Sequence, residues 1–540
     1  MRGTIAGVLL GLCMACAGGE SLEAHLPPGG FALPAWTDPH AGRWAQVDVT
    51  KRGVTPGGGD ITAALQKLIQ EAQGPTVLLF PAGEYGLRKI TIGRSDLILK
   101  GAGADQTVFK MLENGTAFLW QGAGGKWDYG YLSKEYQPRA VTAEVAPGAK
   151  EIPLADTAGL AAGDLVLIES DLDEWSYDAA KRCRGAVALV EKVTATSIAV
   201  NVPLALGLKQ VAADQKNAIV AKLKPVRNVG LEGVRVVCPD GQGGKGSLFH
   251  FKRACHAWLR DVESFNPPVH HAEVAYSHGV TVERCFFDEA KSKGGGGTGY
   301  GVDLRDLSTF VRIEHNIFKD LRHAMATETG ASYSVFGYNL VVDRLRDRCH
   351  APDAPAGCAS EKWINNGAEN GITTGFITSD VCAHGNFPHQ ILFEGNIFYN
   401  GVVDRSHKTN GPHLFFRNRP LGQPKRYGGW QQGAGLVVMG TNDGQVLVGN
   451  VLLNDSEILL QKHTDPRTSQ GTLVGANVIK GQVDWGALAP NTKLPASLYL
   501  TAKPADWPAN LAWPPFGPDV KDAATNKIPA QVRWEERLKK

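Results

Sequence analysis

The stretch Leu392-Phe-Glu-Gly-Asn396-Ile-Phe398 decides the fold, because it recurs. Related stretches are Arg312-Ile-Glu-His-Asn316-Ile-Phe, Val335-Phe-Gly-Tyr-Asn339-Leu-Val, Leu414-Phe-Phe-Arg-Asn418-Arg-Pro, Val446-Leu-Val-Gly-Asn450-Val-Leu and Leu473-Val-Gly-Ala-Asn477-Val-Ile. Each is a short apolar strand, a small or polar step, an Asn and, in most, a second apolar strand. The Asn-to-Asn gaps are 23, 57, 22, 32 and 27 residues. A period in the low twenties with strand chemistry predicts a parallel β-solenoid, whose coils must stack because none can bury its apolar face alone. Asn suits a corner because it tolerates the left-handed conformation, and stacked Asn side chains can bond along the axis as a ladder. The longer gaps read as coils with inserted loops, and the 57-residue gap as two coils plus an insertion. Hairpins of an antiparallel sandwich would favour Asn-Gly, whereas here Asn mostly precedes Ile, Leu or Val.

Working outward, the 540-residue chain is 43% hydrophobic, enough for a large core, and its 64 Gly suit many corners. The 56 basic and 54 acidic residues nearly cancel, which gives no electrostatic case for nucleic acid as a partner. No stretch after residue 20 has the length and apolarity to span a bilayer. Arg2 followed by an apolar run from Ile5 to Ala17 reads as a secretory leader, with cleavage expected after Ala17 or Ala24. Lipidation at Cys16 is an alternative that Cys13 disfavours, since a lipobox usually has Leu there. The expected location is thus outside the cytoplasm: periplasmic, secreted or lipid-anchored. Of nine Cys, Cys349 and Cys358 bracket a Pro-rich loop and form the expected disulfide, while Cys238, Cys255 and Cys285 read as core residues. Oligomeric state is left open.

Apolar residues at Ile61, Leu65, Leu68 and Ile69 share one helical face, and Gly74-Pro75 ends the helix. Strands follow at Thr76–Phe80, Lys89–Ile92 and Leu97–Leu99. Residues 141–203 change character, with four strands joined by polar turns, and read as a small antiparallel β-module. The expected organisation is a leader at 1–24, an N-terminal cap and first coils at 47–140, the inserted module at 141–203, main coils at 221–500, and a Pro- and Trp-rich tail at 501–540 that packs along or caps the far end.

The residues Asp48-Val-Thr…Gly53, Asp60-Ile-Thr-Ala-Ala-Leu-Gln66, Val77-Leu-Leu-Phe-Pro-Ala-Gly-Glu-Tyr85 and Leu97-Ile-Leu-Lys-Gly-Ala-Gly103 resemble the N-terminal signature of the pectate lyase and rhamnogalacturonase-like superfamily. The resemblance covers residues 47–110. Gly-Gly-Asp-Ile-Thr stands where that family usually has Asp-Asp-Thr. The resemblance implies an all-β, right-handed parallel β-helix with an N-terminal capping helix. It says little about function.

Counting back from each Asn predicts which side chains face outward. The set 13 and 11 residues earlier gives Asp303, Arg305, Glu328, Arg405 and His407 as one surface stripe, on coils about 4.8 Å apart. The set 14 and 12 residues earlier, including Val302, Leu304, Met325 and Asp404, should point inward, and a carboxylate there marks a place where the register can slip by one. Flanking segments add Tyr300, Arg322, His323, Lys408, Asn410 and Arg417, and a cluster of His384, His389, His407 and His413. Such a surface suits proton transfer and recognition of an anion.

A groove for an acidic, uronate-containing polysaccharide, formed by coils spanning 300–417, accounts for this set. Cleavage by β-elimination needs a base for the C5 proton and a group that neutralises the carboxylate. Arg405 or Arg305 fits the second role, His407 or His384 the first, with His323 or Tyr300 as acid. Glu328 is a further catalytic candidate, and Asp303, Arg305, Tyr300, Lys408, Asn410 and Arg417 are substrate-binding candidates. A glycoside hydrolase using Asp303 and Glu328, with Asp306 or Asp404 as substitutes, is the rival, although the Asn-Thr-Asp, Gly-His-Gly and Arg-Ile-Lys pattern of polygalacturonases is not found. A C5-epimerase would use the lyase's groups. A non-catalytic glycan-binding or adhesive β-helix is the third reading, with Trp127, Tyr129, Tyr131, Trp175 and Tyr177 as a candidate aromatic face. No resident metal is assigned. Ca²⁺ is a candidate at Asp171, Asp173 and Glu174, and His384 and His389 lack a zinc spacing.

Overall fold

The computed structural model describes residues 19–540 apart from 35–36, 125–135, 171–182, 209–217, 242, 293–296, 343–378, 406, 408–409, 423–433, 440–441, 443, 455 and 461–470. The expected pair Cys349 and Cys358, Lys408, the Asp171, Asp173 and Glu174 set and the five aromatics of the adhesive reading lie outside the described residues, as do residues 1–18.

Parallel pairing dominates. Among the described residues three parallel sheets of 12, 9 and 10 strands run the length of the molecule, and the chain visits each once per coil. One coil illustrates the cycle: Arg312–Glu314 lies in the first sheet, Ile317–Lys319 in the second and His323–Thr327 in the third. The fold is the expected right-handed parallel β-helix. Alternation along each strand sends one set of side chains inside. Val302, Leu304, Met325, Val381, Ala383 and Val403 of the third sheet join Ile313, Phe336, Phe393 and Phe415 of the first in one continuous core.

The Asn row is a ladder. Asn316, Asn339, Asn396, Asn418, Asn450 and Asn477 are all buried. Each of the first five donates from Nδ2 to the Oδ1 of the next at 3.0–3.1 Å. Each also gives its main-chain N–H to that same oxygen. The second Nδ2 hydrogen goes to a carbonyl of the preceding coil, so the amide is saturated. The expected left-handed residue is one place earlier: His315, Tyr338, Gly395, Arg417, Gly449 and Ala476 carry the positive φ. The Asn is selected for its amide, not for its backbone.

The 57-residue gap is one coil, not two. Strand Ser332–Gly337 pairs directly with His389–Glu394, and Asn339 bonds directly to Asn396. The extra length falls between Val342 and Ser379, in residues 343–378, which lie outside the described residues.

Helix Thr62–Glu71 places Leu65, Leu68 and Ile69 in the solenoid core. An antiparallel six-stranded sheet, its strands drawn from Arg139–Ala140 to Ile219–Lys222, leaves the solenoid between its early coils. It rests on residues 306–310, where Val187 N–H donates to the Leu307 carbonyl and Phe310 and Tyr333 enter its core. The tail packs along the side of the helix. Trp507, Phe516 and Ile528 cover Val335, Leu392, Leu414, Val446 and Leu473, the outward apolar row of the first sheet. At the other terminus Glu20 bridges to Leu488 and Leu22 is buried, so residues 19–24 pack on the body, and a leader extending to Ala24 would remove them.

Candidate active site on the third sheet

Five successive third-sheet strands carry the chemistry: His270–Ala275, Tyr300–Arg305, His323–Thr327, Val381–Ala383 and Gly401–Val403. Their register places Glu273 beside Asp303 and Asp303 beside Ala326. Val302 and Leu304 point inward, so Asp303 and Arg305 project outward as the count predicts.

Arg305 is the hub. Its Nη1 lies 3.0 Å from Glu328, 3.4 Å from Asp303 and 4.0 Å from Glu273, and its Nε lies 3.4 Å from Asp306. Burial works against its charge, but Glu328, Asp306, Asp303 and Glu273 more than offset that, so it stays a guanidinium. Three of these contacts fall on Nη1, so the guanidinium is held in place by the carboxylates around it. Asp303 is fully buried. Burial first and the Glu328 charge second push its carboxyl well above the usual carboxylate range, against Arg305. Asp303 thus holds its proton more tightly than an ordinary carboxyl. His250, Lys252, Glu273, Tyr276, Arg305 and Asp306 line a cavity of about 170 Å³ beside it.

A stack of rings runs along the axis next to this charge cluster. Tyr300 lies 4.5 Å from His270 and 4.8 Å from His323, centroid to centroid. His323 lies 6.2 Å from His384, which stands edge-on to His407 at 4.8 Å. His323 Nδ1 is 2.6 Å from the Ser379 carbonyl. A carbonyl can only accept, so Nδ1 carries the proton. Burial, with Arg322 and His384 adding to it, holds the ring well below the ordinary His pKa, so it is neutral and Nε2 is a bare lone pair. Among the described residues that Nε2 has no hydrogen-bond partner, and neither do the Tyr300 hydroxyl, Asp303 Oδ1 and Arg322 Nη1. The Arg322 guanidinium sits 5.9 Å from the Tyr300 ring centroid. Burial holds the Tyr300 hydroxyl protonated far above the usual phenol range. Each such atom costs about 1–3 kcal/mol unless a water or a ligand satisfies it.

The next coil slips by one residue, as its inward carboxylate warned. Val403 occupies the core and Asp404 follows it outward, 2.5 Å from His384 Nδ1. Arg405 lies beyond the strand and is exposed. Burial would lower the His384 pKa, but Asp404 and Cys382 raise it to about 12, so His384 is an imidazolium and a poor base. The four-His cluster splits in two. His384 and His407 belong to this face, whereas His389 opens a first-sheet strand and His413 precedes another, both fully buried.

Two substrate-binding candidates serve the scaffold. Arg417 sits between the first- and second-sheet strands of its coil and grips Asp519 of the tail through two bonds of 2.7 and 2.8 Å. Asn410 donates to the Asp404 carbonyl at 2.7 Å and fixes that loop. Counting from the Asn ladder missed His270 and Glu273, because that coil precedes Asn316 and offers no Asn to count from. Their sequence trace is the pair His270-His271 followed by Glu273 in a strand whose other residues are Ala and Val.

No protein-family model matches the chain, and no curated protein matches its sequence. Among solved structures it is similar to the tailspike gp61 of Pseudomonas phage phi297, at 12% identity and TM-score 0.48, covering 80% of this chain and 81% of that one. It is similar to the Gp54 tailspike of Acinetobacter baumannii bacteriophage AP22, solved with a capsular saccharide, at 11% identity and TM-score 0.44, covering 82% and 76%. An exopolygalacturonase from Thermotoga maritima aligns at 10% identity and TM-score 0.39, covering 84% and 95%. At these values the likeness is one of chain path, and the chemistry rests on the site itself.

Proposed function

We propose that the protein cleaves an acidic, uronate-containing polysaccharide by β-elimination on the outer face of the third sheet. The observation that carries this reading is the group of unpartnered polar atoms on two adjacent coils: Tyr300 Oη, His323 Nε2, Arg322 Nη1 and Asp303 Oδ1. They supply the roles elimination needs. Arg322 and the protonated Asp303 carboxyl neutralise the substrate carboxylate, which acidifies C5. His323 Nε2 takes the C5 proton. The C4–O bond breaks as C4=C5 forms, and the Tyr300 hydroxyl protonates the departing oxygen. Arg305, surrounded by four carboxylates, positions Asp303 and Glu328 rather than touching the sugar. The atoms are shielded from solvent, as acid–base groups are where water must be excluded. This assigns the base to His323 in place of His407 or His384, and the neutralising cation to Arg322 in place of Arg405.

Retaining hydrolysis is the second reading, favoured by one feature. Asp303 and Glu328 reach the same Arg305 nitrogen. That keeps them closer than the spacing of about 6.5–9.5 Å for inversion and leaves the retaining spacing of about 5–5.5 Å.

The test is ultraviolet absorbance of unsaturated uronate, with reducing ends assayed in parallel, over a panel of polyuronides. Both signals rise for the wild type, and His323→Ala and Tyr300→Phe each lose about 10²- to 10⁴-fold in kcat. Reducing ends without absorbance, lost in Asp303→Asn and Glu328→Gln, establish hydrolysis instead. Binding without either signal returns the protein to the adhesive class.

A further inference from the structure

We propose that Cys382, His384 and Asp404 form a three-ligand site for a divalent transition metal of the zinc type. The argument is geometric and does not rest on the elimination chemistry. Cys382 and His384 are two residues apart where a third-sheet strand ends, and Asp404 lies on the following coil beside His384. The Cys382 Sγ to Asp404 Oδ2 distance is 3.8 Å and the His384 Nδ1 to Asp404 Oδ2 distance is 2.5 Å. One donor atom from each residue lies within 4.8 Å of the other two. Bonds of about 2.0–2.3 Å in tetrahedral geometry set such donors about 3.3–3.6 Å apart. Opening the His384–Asp404 contact by under about 1 Å therefore admits an ion.

The donor set fixes the class of ion. A thiolate, an imidazole and a carboxylate suit zinc, cobalt and their neighbours, whereas Ca²⁺ and Mg²⁺ require oxygen ligands. Charge agrees with burial. Cys382 and Asp404 are both buried, and as thiolate and carboxylate they cancel a 2+ ion, so the filled site brings no net charge into the interior. Three protein ligands leave a fourth position for water or a substrate oxygen. Because the His323 ring is 6.2 Å from that of His384, this position lies one coil from the acid–base group.

The experiment uses the full chain, reduced, stripped with chelator and titrated with Zn²⁺ against a chromophoric competitor. One equivalent binds, and Cys382→Ser and Asp404→Asn each weaken affinity by more than the roughly 10- to 100-fold cost of losing an outer-shell partner. The cobalt-loaded wild type shows a thiolate-to-cobalt charge-transfer band, a readout that survives if Cys382→Ser fails to fold. No zinc uptake, unchanged affinity in a folded Cys382→Ser protein, or bound cobalt without that band overturns the site. None of these readouts involves polysaccharide cleavage, so failure here leaves the proposed function standing.

Discussion

A buried asparagine whose amide hydrogens and carbonyl oxygen are all used is hard to replace. Asn396 accepts from the Asn339 side chain and main chain and donates to Phe336 and Asn418. Asn396→Ala strands the two Asn339 donors in a corner without water. It should cost about 2–3 kcal/mol, read as a lowered urea midpoint with an unchanged slope. Asn396→Asp keeps the shape and loses the donors, and should fare no better. At this scale the sequence was readable where one residue type repeats, and misleading where backbone conformation and side-chain role fall on neighbours. The left-handed residues precede the Asn and vary from His to Ala, so no single letter marks them. Asp404 faces out because its coil slips by one, and only the pairing of Val381–Ala383 with Gly401–Val403 reveals it.

Elements were legible in proportion to their periodicity. Helix Thr62–Glu71 and the strands of the antiparallel insert follow from local pattern. The number of coils in the 57-residue gap did not, since a long excursion and an extra turn have equal length, and only direct pairing of Ser332–Gly337 with His389–Glu394 distinguishes them. The tail's place was half visible. Its Trp and Pro content announced packing, but the partner is an apolar row that appears only once coils stack. Removing residues 501–540 uncovers that row and deprives Arg417 of Asp519, its carboxylate partner. The truncated chain should lose on the order of 5 kcal/mol or more and self-associate, checked by thermal melting and light scattering. The candidate site shows the same division. Its outward carboxylates came from counting, while the unpartnered atoms of the proposed mechanism depend on how two adjacent coils meet.

The body of the molecule is a stack in which each strand pairs with the coils on either side, and its histidines are spread through that stack. Burial lowers His278 and His413 to about 3 and His389 to about 4. Unfolded, each takes up a proton near pH 6.5. Below that pH the unfolded chain binds more protons than the folded one, so stability falls on acidification from about 6.5 toward about 4 and levels off once the folded groups also protonate. Each such group contributes about 1.4 kcal/mol per pH unit within the window. Urea midpoints at pH 7 and 5 should separate clearly, and His413→Gln should narrow the gap.

The Asn ladder also has a sense. Along the row of side-chain amides each Nδ2 from Asn316 to Asn450 donates to the Oδ1 of its C-terminal neighbour, and no Oδ1 in the row accepts from the Asn that follows it. Head-to-tail amides polarise one another, so the row is a one-way chain of dipoles. A coil emerging from the ribosome therefore meets a waiting donor and supplies the acceptor. The row thus gives the stack a polarity, each coil offering a side-chain donor to the coil that follows it in the chain.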